Sequence, residues 1–354
     1  MDACNNTQFE YKYRTSHGHL AGQFGPLYRW YYAAVAAGST ALQPTQQQGN
    51  IVAMLERVGL PITFVLLWSS AFVAAKSGVV YATPFAFLAV RFAIVAAIFA
   101  SIGAGFYIWR NSRKKTATTS AKLTLRAISG SACVGILLHG FYLGCSFYAM
   151  ANGLGAALTA LIVSTQPLLT TALAILLFGE KPRAVQWLGI AIGFCGVIIV
   201  LSPSLGHSAP TLSLLASLLA LVAITGGTLL QKKIGHQLSL LPSNIIQASA
   251  ATLFFLLLIH TIEVPHIDWT PNFIGALAWQ VLVVSTGAYI ILMILIKRDS
   301  VAATTSLLFL VPPTTALIAN VWLAEPLTPT TVAGFFMASA GVFLVTRFAA
   351  PPKS

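Results

Sequence analysis

The stretches Gly153–Leu201, GLGAALTALIVSTQPLLTTALAILLFGEKPRAVQWLGIAIGFCGVIIVL, and Arg298–Thr346, RDSVAATTSLLFLVPPTTALIANVWLAEPLTPTTVAGFFMASAGVFLVT, overlay without a gap. Ala157 falls on Ala302, Thr159 on Thr304, Pro167 on Pro312, Glu180 on Glu325, Gly189 on Gly334 and Gly196 on Gly341, all at one offset (325 − 180 = 145). Each copy is an apolar run with a central proline, a hinge carrying a glutamate, and a second apolar run bearing glycines. A constant offset through both runs and the polar hinge marks an internal duplication of membrane-spanning character.

Composition agrees. The chain has 354 residues, 57% hydrophobic and 8% charged, with a mean hydropathy of +0.81. Soluble domains carry about 25% charged residues, so a water-soluble globule is excluded. The net charge of +12 does not indicate nucleic acid, because the basic residues sit in short loops between apolar runs. Cys4, Cys133, Cys145 and Cys195 have neither CxxC nor metal-ligand spacing, and the last three lie in apolar runs as small hydrophobes. No metal site or cofactor is expected.

From Leu60 onward there are ten apolar runs of bilayer-spanning length, near 60–79, 85–108, 129–150, 153–178, 184–201, 211–231, 242–261, 272–296, 301–323 and 329–348. The third and fourth are parted only by the turn signal Asn152-Gly153. Residues 1–53 contain no spanning run and no signal-peptide pattern and read as a disordered extension. Met54-Leu-Glu-Arg57 looks like a natural start, with the extension a misplaced one.

Basic residues alternate from loop to loop. Arg57, the cluster from Arg110 to Arg126, Lys181 and Arg183, Lys232 and Lys233, Lys297 and Arg298, and Arg347 and Lys353 mark one side. The other side holds Glu263, Asp268 and Glu325, with Lys76 its sole cation. By the positive-inside rule both termini are cytoplasmic. Five helices per copy then turn the second copy upside down. The expected fold is an all-α integral membrane protein of ten helices in two inverted five-helix repeats, residues 54–202 and 203–348, with a cytoplasmic tail at 349–354.

Trp68-Ser-Ser-Ala-Phe72 with Lys76, Arg91-Phe92, the pattern from Gly153 through Pro167 to Gly179-Glu-Lys-Pro182, and its copy ending Ala324-Glu-Pro326 and Gly334 resemble the drug/metabolite transporter superfamily in its EamA-type, ten-helix branch. The resemblance covers residues 55–348. It implies a plasma-membrane carrier with a central cavity lined mainly by helices 1, 3, 4, 6, 8 and 9. Many relatives have Trp-Gly where this chain has Trp68-Ser69, a difference at the close approach of helix 1 to its neighbour.

Several residues carry candidate transport chemistry. Pro167 and Pro312 each lie mid-helix, where a proline frees the carbonyl four residues back, Val163 or Leu308. Such a carbonyl must face protein or a wet cavity; a plain packing kink is the alternative. Ser164, Thr165, Gln166, Thr314 and Thr315 are partners at hand. Arg91 is the one charge well inside a run; burying it costs roughly 3 kcal/mol or more. It lies shallow enough to snorkel, and an anchoring role and binding of a solute carboxylate both stand open. His139, near Tyr142 and Tyr148, is an interhelical hydrogen-bonder or a proton carrier. No Asp or Glu falls within a spanning run, so the expectation is facilitated diffusion or coupling through His139. Trp68, Ser69, Ser70, Asn152, Thr225, Trp279, Gln280, Tyr289 and Asn320 complete the inventory, with Trp279 read chiefly as an interfacial anchor. The glycine spacing at Gly189 and Gly193 and its copy at Gly334 and Ala338 indicate scaffold packing of helices 5 and 10.

No nucleotide-binding or hydrolytic motif occurs, and the chain reads as no enzyme. The function expected is export of a small metabolite, an amino acid or derivative, across the bacterial inner membrane by alternating access. A multidrug or cation exporter and a non-transporting scaffold or receptor are the alternatives. The partners are the solute and the bilayer, and a homodimer stays open.

Overall fold

The computed structural model describes residues 46–112, 124–178, 183–206, 211–234, 237–288, 291, 292, 294, 295 and 307–347. By contacts the chain divides into Met1–Gly59 and Leu60–Ser354. In the first unit the described part is helical from Gln46, so residues 46–53, expected to be disordered, continue the helix of the first run. Glutamine is a good helix former, and extending an existing helix incurs no new nucleation cost.

Each of the ten apolar runs is mostly helical where it is described. They are α1 (Gln46–Gly78), α2 (Pro84–Ser112), α3 (Leu125–Ala151), α4 (Ala156–Ser164 and Gln166–Phe178), α5 (Ala184–Gly206), α6 (Thr211–Ile234), α7 (Leu240–Thr261), α8 (Pro271–Ala278, continued by Trp279–Ala288), α9 (Leu307–Leu310 and Val311–Leu323) and α10 (Pro329–Arg347). Among the described residues seven helices are long and apolar enough to cross a bilayer, while Ala184–Val200 and Leu307–Leu323 are shorter apolar helices. Thr124 caps α3 by accepting from the Ala127 amide at 3.3 Å. Thr270 caps α8 by accepting from Phe273 at 3.2 Å, with Pro271 in the first turn where no amide is needed. The break between α3 and α4 falls at Asn152-Gly153, and Gly153 has φ 98°, a conformation a side chain would oppose.

α5 and α10 pack along their length with their glycines in contact. The Cα of Gly189 faces Gly341 and Val345, and that of Gly196 faces Gly334 and Ala338, so the two helices run antiparallel. The 145 offset carries the pair Gly189/Gly341 onto Gly334/Gly196, the other contact of the same seam (189 + 145 = 334; 341 − 145 = 196). Two antiparallel helices that exchange equivalent residues are related by a two-fold axis perpendicular to both. For helices that cross a bilayer, that axis lies in its plane, and the repeats are inverted. The apolar clusters beside the seam obey the same operation. Val197, Val200 and Phe335 in one map onto Val342, Val345 and Ile190 in the other.

One end of the bundle is tied across helices. Glu263 accepts from the Phe85 and Ala86 amides at 3.1 and 2.9 Å, at the start of α2. Glu325 does the same for Ala156 and Ala157 at the start of α4, at 2.7 and 3.3 Å. Lys76 donates to the carbonyls of Met150 and Leu154, at 2.6 and 2.9 Å, at the end of α3. Acids on helix N-termini and a cation at a C-terminus each complement the helix dipole. An antiparallel bridge between Ala82 and Ile267 closes the loops over this end.

Candidate functional site

The two mid-run prolines break their helices where continuous, kinked helices were expected. Helix α4 stops at Ser164 and restarts at Gln166, so Pro167 stands in the first turn of the new segment. The described part of α9 opens on a 3-10 turn, Leu307–Leu310, and Pro312 again stands in the first turn of the α-helical segment, Val311–Leu323. A proline there has no amide to lose from the ladder. At the α4 break Thr165 closes on itself, its hydroxyl donating to the Ile162 carbonyl at 2.6 Å.

In α9 a second proline, Pro313, leaves the Phe309 carbonyl without the donor four residues on. Ser339 of α10 supplies it, Oγ to O at 2.9 Å. Ser69 of α1, fully buried, donates to the Val311 carbonyl at 3.3 Å and accepts through its own carbonyl from Thr315 Oγ1 at 3.3 Å. The serine in the Trp68-Ser69 pair thus joins α1 to α9. A narrow cleft with room for little more than a water molecule lies where the two breaks meet, lined by Ser164 and Thr165 of α4, Phe309 and Pro312 of α9, and Ser339. Ser339→Ala is expected to lower stability by about 1–3 kcal/mol, the cost of a buried carbonyl left without a donor. Thermal unfolding in detergent reads this, and Ser339→Thr is expected to keep most of it; an unchanged midpoint in the alanine variant sinks the assignment.

A second polar cluster joins α2 to α8. Arg91 does not snorkel. It is 5% exposed, and its Nη2 donates to Ser285 Oγ of α8 at 3.0 Å. Its guanidinium also sits 5.3 Å from the Phe92 ring centroid. The Ser285 hydroxyl donates to the Gln280 carbonyl at 3.0 Å, five residues back. That spacing belongs to a π-helix, which spans Trp279–Ala288. Helix α3 has its own π segment, Ile136–Phe141. The repeat offset places it on Val281–Thr286, inside the other (136 + 145 = 281; 141 + 145 = 286). Both repeats therefore loosen the same turn of equivalent helices, a feature frequent at functional sites.

The remaining candidates divide between the two clusters and the rim. Gln280, 1% exposed, donates to the Ala71 carbonyl of α1 at 2.7 Å. Trp279, expected chiefly as a lipid-interface anchor, is exposed and donates to Ser70 Oγ at 2.9 Å. Trp68 packs on Phe64, ring centroids 5.4 Å apart. His139 lies in the α3 π segment against the Phe92 ring at 5.0 Å, and Tyr142 is within electrostatic reach of Arg91. Gln166 donates to Thr228 of α6 at 2.9 Å, while buried Thr225 bonds its own helix at Leu221. Asn320 stands at the tied end of the bundle, its amide on the Glu325 carbonyl at 2.8 Å, apart from both clusters. Tyr289 and Glu180 lie outside the described residues. Sequence reasoning missed Ser285 and Ser339. Each is one hydroxyl in an apolar run, and only the neighbouring helix shows what it serves.

The EamA-like transporter family matches the chain over residues 58–202 and 211–347, one match per repeat. The chain belongs to the EamA-like transporter family. Members of this family are transporters, not enzymes. An "Uncharacterized transporter YvbV" of Bacillus subtilis (strain 168) is 25% identical over 82% of this chain and 91% of its own length. An "Uncharacterized transporter" of Archaeoglobus fulgidus is 24% identical over 82% of this chain and 97% of its own. A "Probable terminal-alkyne amino-acid exporter" of Streptantibioticus cattleyicolor is 26% identical over 54% of this chain and 64% of its own. A solved crystal structure, 19% identical, covers 81% of this chain and 95% of its own at a TM-score of 0.55, which bears on the fold alone. In this EamA-like chain the family's two repeats are the two halves of the inverted pair described above.

Proposed function

We propose that this EamA-like carrier exports a small metabolite, an amino acid or a derivative of one, across a bacterial inner membrane by alternating access, with both termini cytoplasmic. The observation that carries the reading is the pair of broken helices, α4 and α9, at equivalent positions of two inverted repeats and packed against each other. Discontinuous helices at a repeat interface are the elements about which such carriers rock. The amino-acid class is supported by the names of two relatives, the exporter above and a "Probable amino-acid metabolite efflux pump" of Escherichia coli (strain K12), 27% identical over 49% of this chain and 53% of its own.

The test is counterflow of a labelled amino-acid panel in proteoliposomes, with and without a pH gradient. Saturable counterflow of one solute, indifferent to the gradient, is the expected result. Absence of amino-acid flux together with gradient-driven movement of a lipophilic cation replaces this reading with a multidrug exporter.

A further inference from the structure

Arg91 is a buried cation with no acid beside it among the described residues. All eight Asp and Glu residues of the chain fall outside the ten apolar runs. Of the described ones, Glu263 and Glu325 are spent on helix N-termini, and Asp268 lies 3.1 Å from His266. The residues facing the guanidinium are neutral or aromatic: Ser285, Phe92, Tyr142 and His139. Its Nε is fully buried and has no hydrogen-bond partner among the described residues. The Cα of Arg91 is only about 10 Å along α2 from its first residue, at 1.5 Å per residue, a depth from which an arginine can reach the interface. Instead the side chain turns inward to α8. A charge held inside a membrane protein against an available escape to water marks a ligand or pathway.

The same serine leads to a second incomplete group. Ser285 donates to the Gln280 backbone carbonyl, and the Gln280 side chain uses its Nε2 on Ala71 while its buried Oε1 has no donor. Two of the three buried side-chain atoms that lack partners among the described residues thus belong to residues linked through Ser285: a cationic donor and a neutral acceptor. Native proteins rarely leave such atoms unpaired, and each calls for an explanation. They lie on α2 and on the π segment of α8, where the looser turn permits local rearrangement.

We infer that Arg91 and Gln280 hold the two ends of the transported solute, its carboxylate on the guanidinium and its ammonium on Gln280 Oε1, so that the solute is a small zwitterion such as an α-amino acid. This rests on the transport reading above. An anion supplies the counter-charge that the described residues do not bring to Arg91, and an ammonium supplies the donor that Gln280 Oε1 lacks among them. In the present conformation both atoms are closed to solvent, so the solute reaches them when α2 and α8 part.

The experiment measures ligand-induced shifts in thermal unfolding of the purified full chain, using a panel of amino acids, their methyl esters and their deaminated acids. At least one amino acid is expected to bind about tenfold or more tightly than its ester, the loss of a charged hydrogen bond. Arg91→Gln is expected to abolish that binding and Arg91→Lys to keep part of it. Gln280→Leu is expected to weaken the amino acid and leave the deaminated acid unchanged. The ester comparison uses the natural chain, so the test stands even where Arg91→Gln fails to fold. Equal binding of acid and ester, no shift with any carboxylate, or undiminished binding by Arg91→Gln overturns the site. Counterflow of a solute without a carboxylate, with no carboxylate binding, sinks the site and leaves transport standing. Carboxylate binding that needs Arg91, with no counterflow of any solute, does the reverse.

Discussion

Gly341→Ala is expected to lower the unfolding midpoint in detergent by about 10 °C, from a cost of about 3 kcal/mol at 2–4 °C per kcal/mol. A Cβ at this position would run into the amide nitrogen and Cα of Gly193 and would lie 2.5 Å from the Gly189 carbonyl. All three are backbone atoms and cannot rotate aside, so α5 and α10 must separate along the seam that joins the repeats. Separation also loosens Val342 and Val345 from Leu168 and Ile190. The sign is diagnostic. Alanine in a helix is intrinsically favoured over glycine by about 1 kcal/mol, so crowding has to outweigh that gain. Gly226, where an added Cβ meets nothing within 4 Å, is the matched control, and Gly226→Ala is expected to hold or raise the midpoint. Equal midpoints for the two variants would show that the seam is not close-packed.

Glu325→Ala is expected to free the start of α4. The carboxylate accepts both the Ala156 and Ala157 amides, and a charge-assisted cap at a helix N-terminus contributes about 2 kcal/mol. Losing it corresponds to about a thirtyfold rise in the open fraction of that turn. Hydrogen exchange of the peptide containing Ala156 and Ala157, in nanodiscs, is expected to speed up by that factor, with Glu325→Gln intermediate. The α2 start, held by Glu263 instead, is expected to keep its protection. Unchanged exchange at Ala156 and Ala157 in the alanine variant would remove the carboxylate from this role.

Much of this was readable along the chain because a duplication preserves spacing. Pro167 and Pro312, Glu180 and Glu325, and the glycines of α5 and α10 announce two copies, and five apolar runs per copy announce their inversion. The prolines marked where α4 and α9 give way, since a missing amide is a local property. The form of the break was not readable. Whether a helix kinks or restarts depends on what meets the loose carbonyls, and that is Ser339, 30 residues from Phe309. The π segments are equally silent, as Ile136–Phe141 and Trp279–Ala288 have the apolar composition of ordinary helix.

The amino-acid sequence by itself determined the duplication, the ten apolar runs, the alternation of basic loops and the absence of acids from those runs, because hydropathy, period and charge count are properties of the chain in order. The tertiary structure alone decided where Arg91 points, which hydroxyl serves which carbonyl, and that Gln280 and Arg91 share one serine. Those outcomes depend on which helices become neighbours. In a bundle of largely apolar helices, that choice is made by close backbone approach at a few glycines and by the pairing of a few buried polar groups.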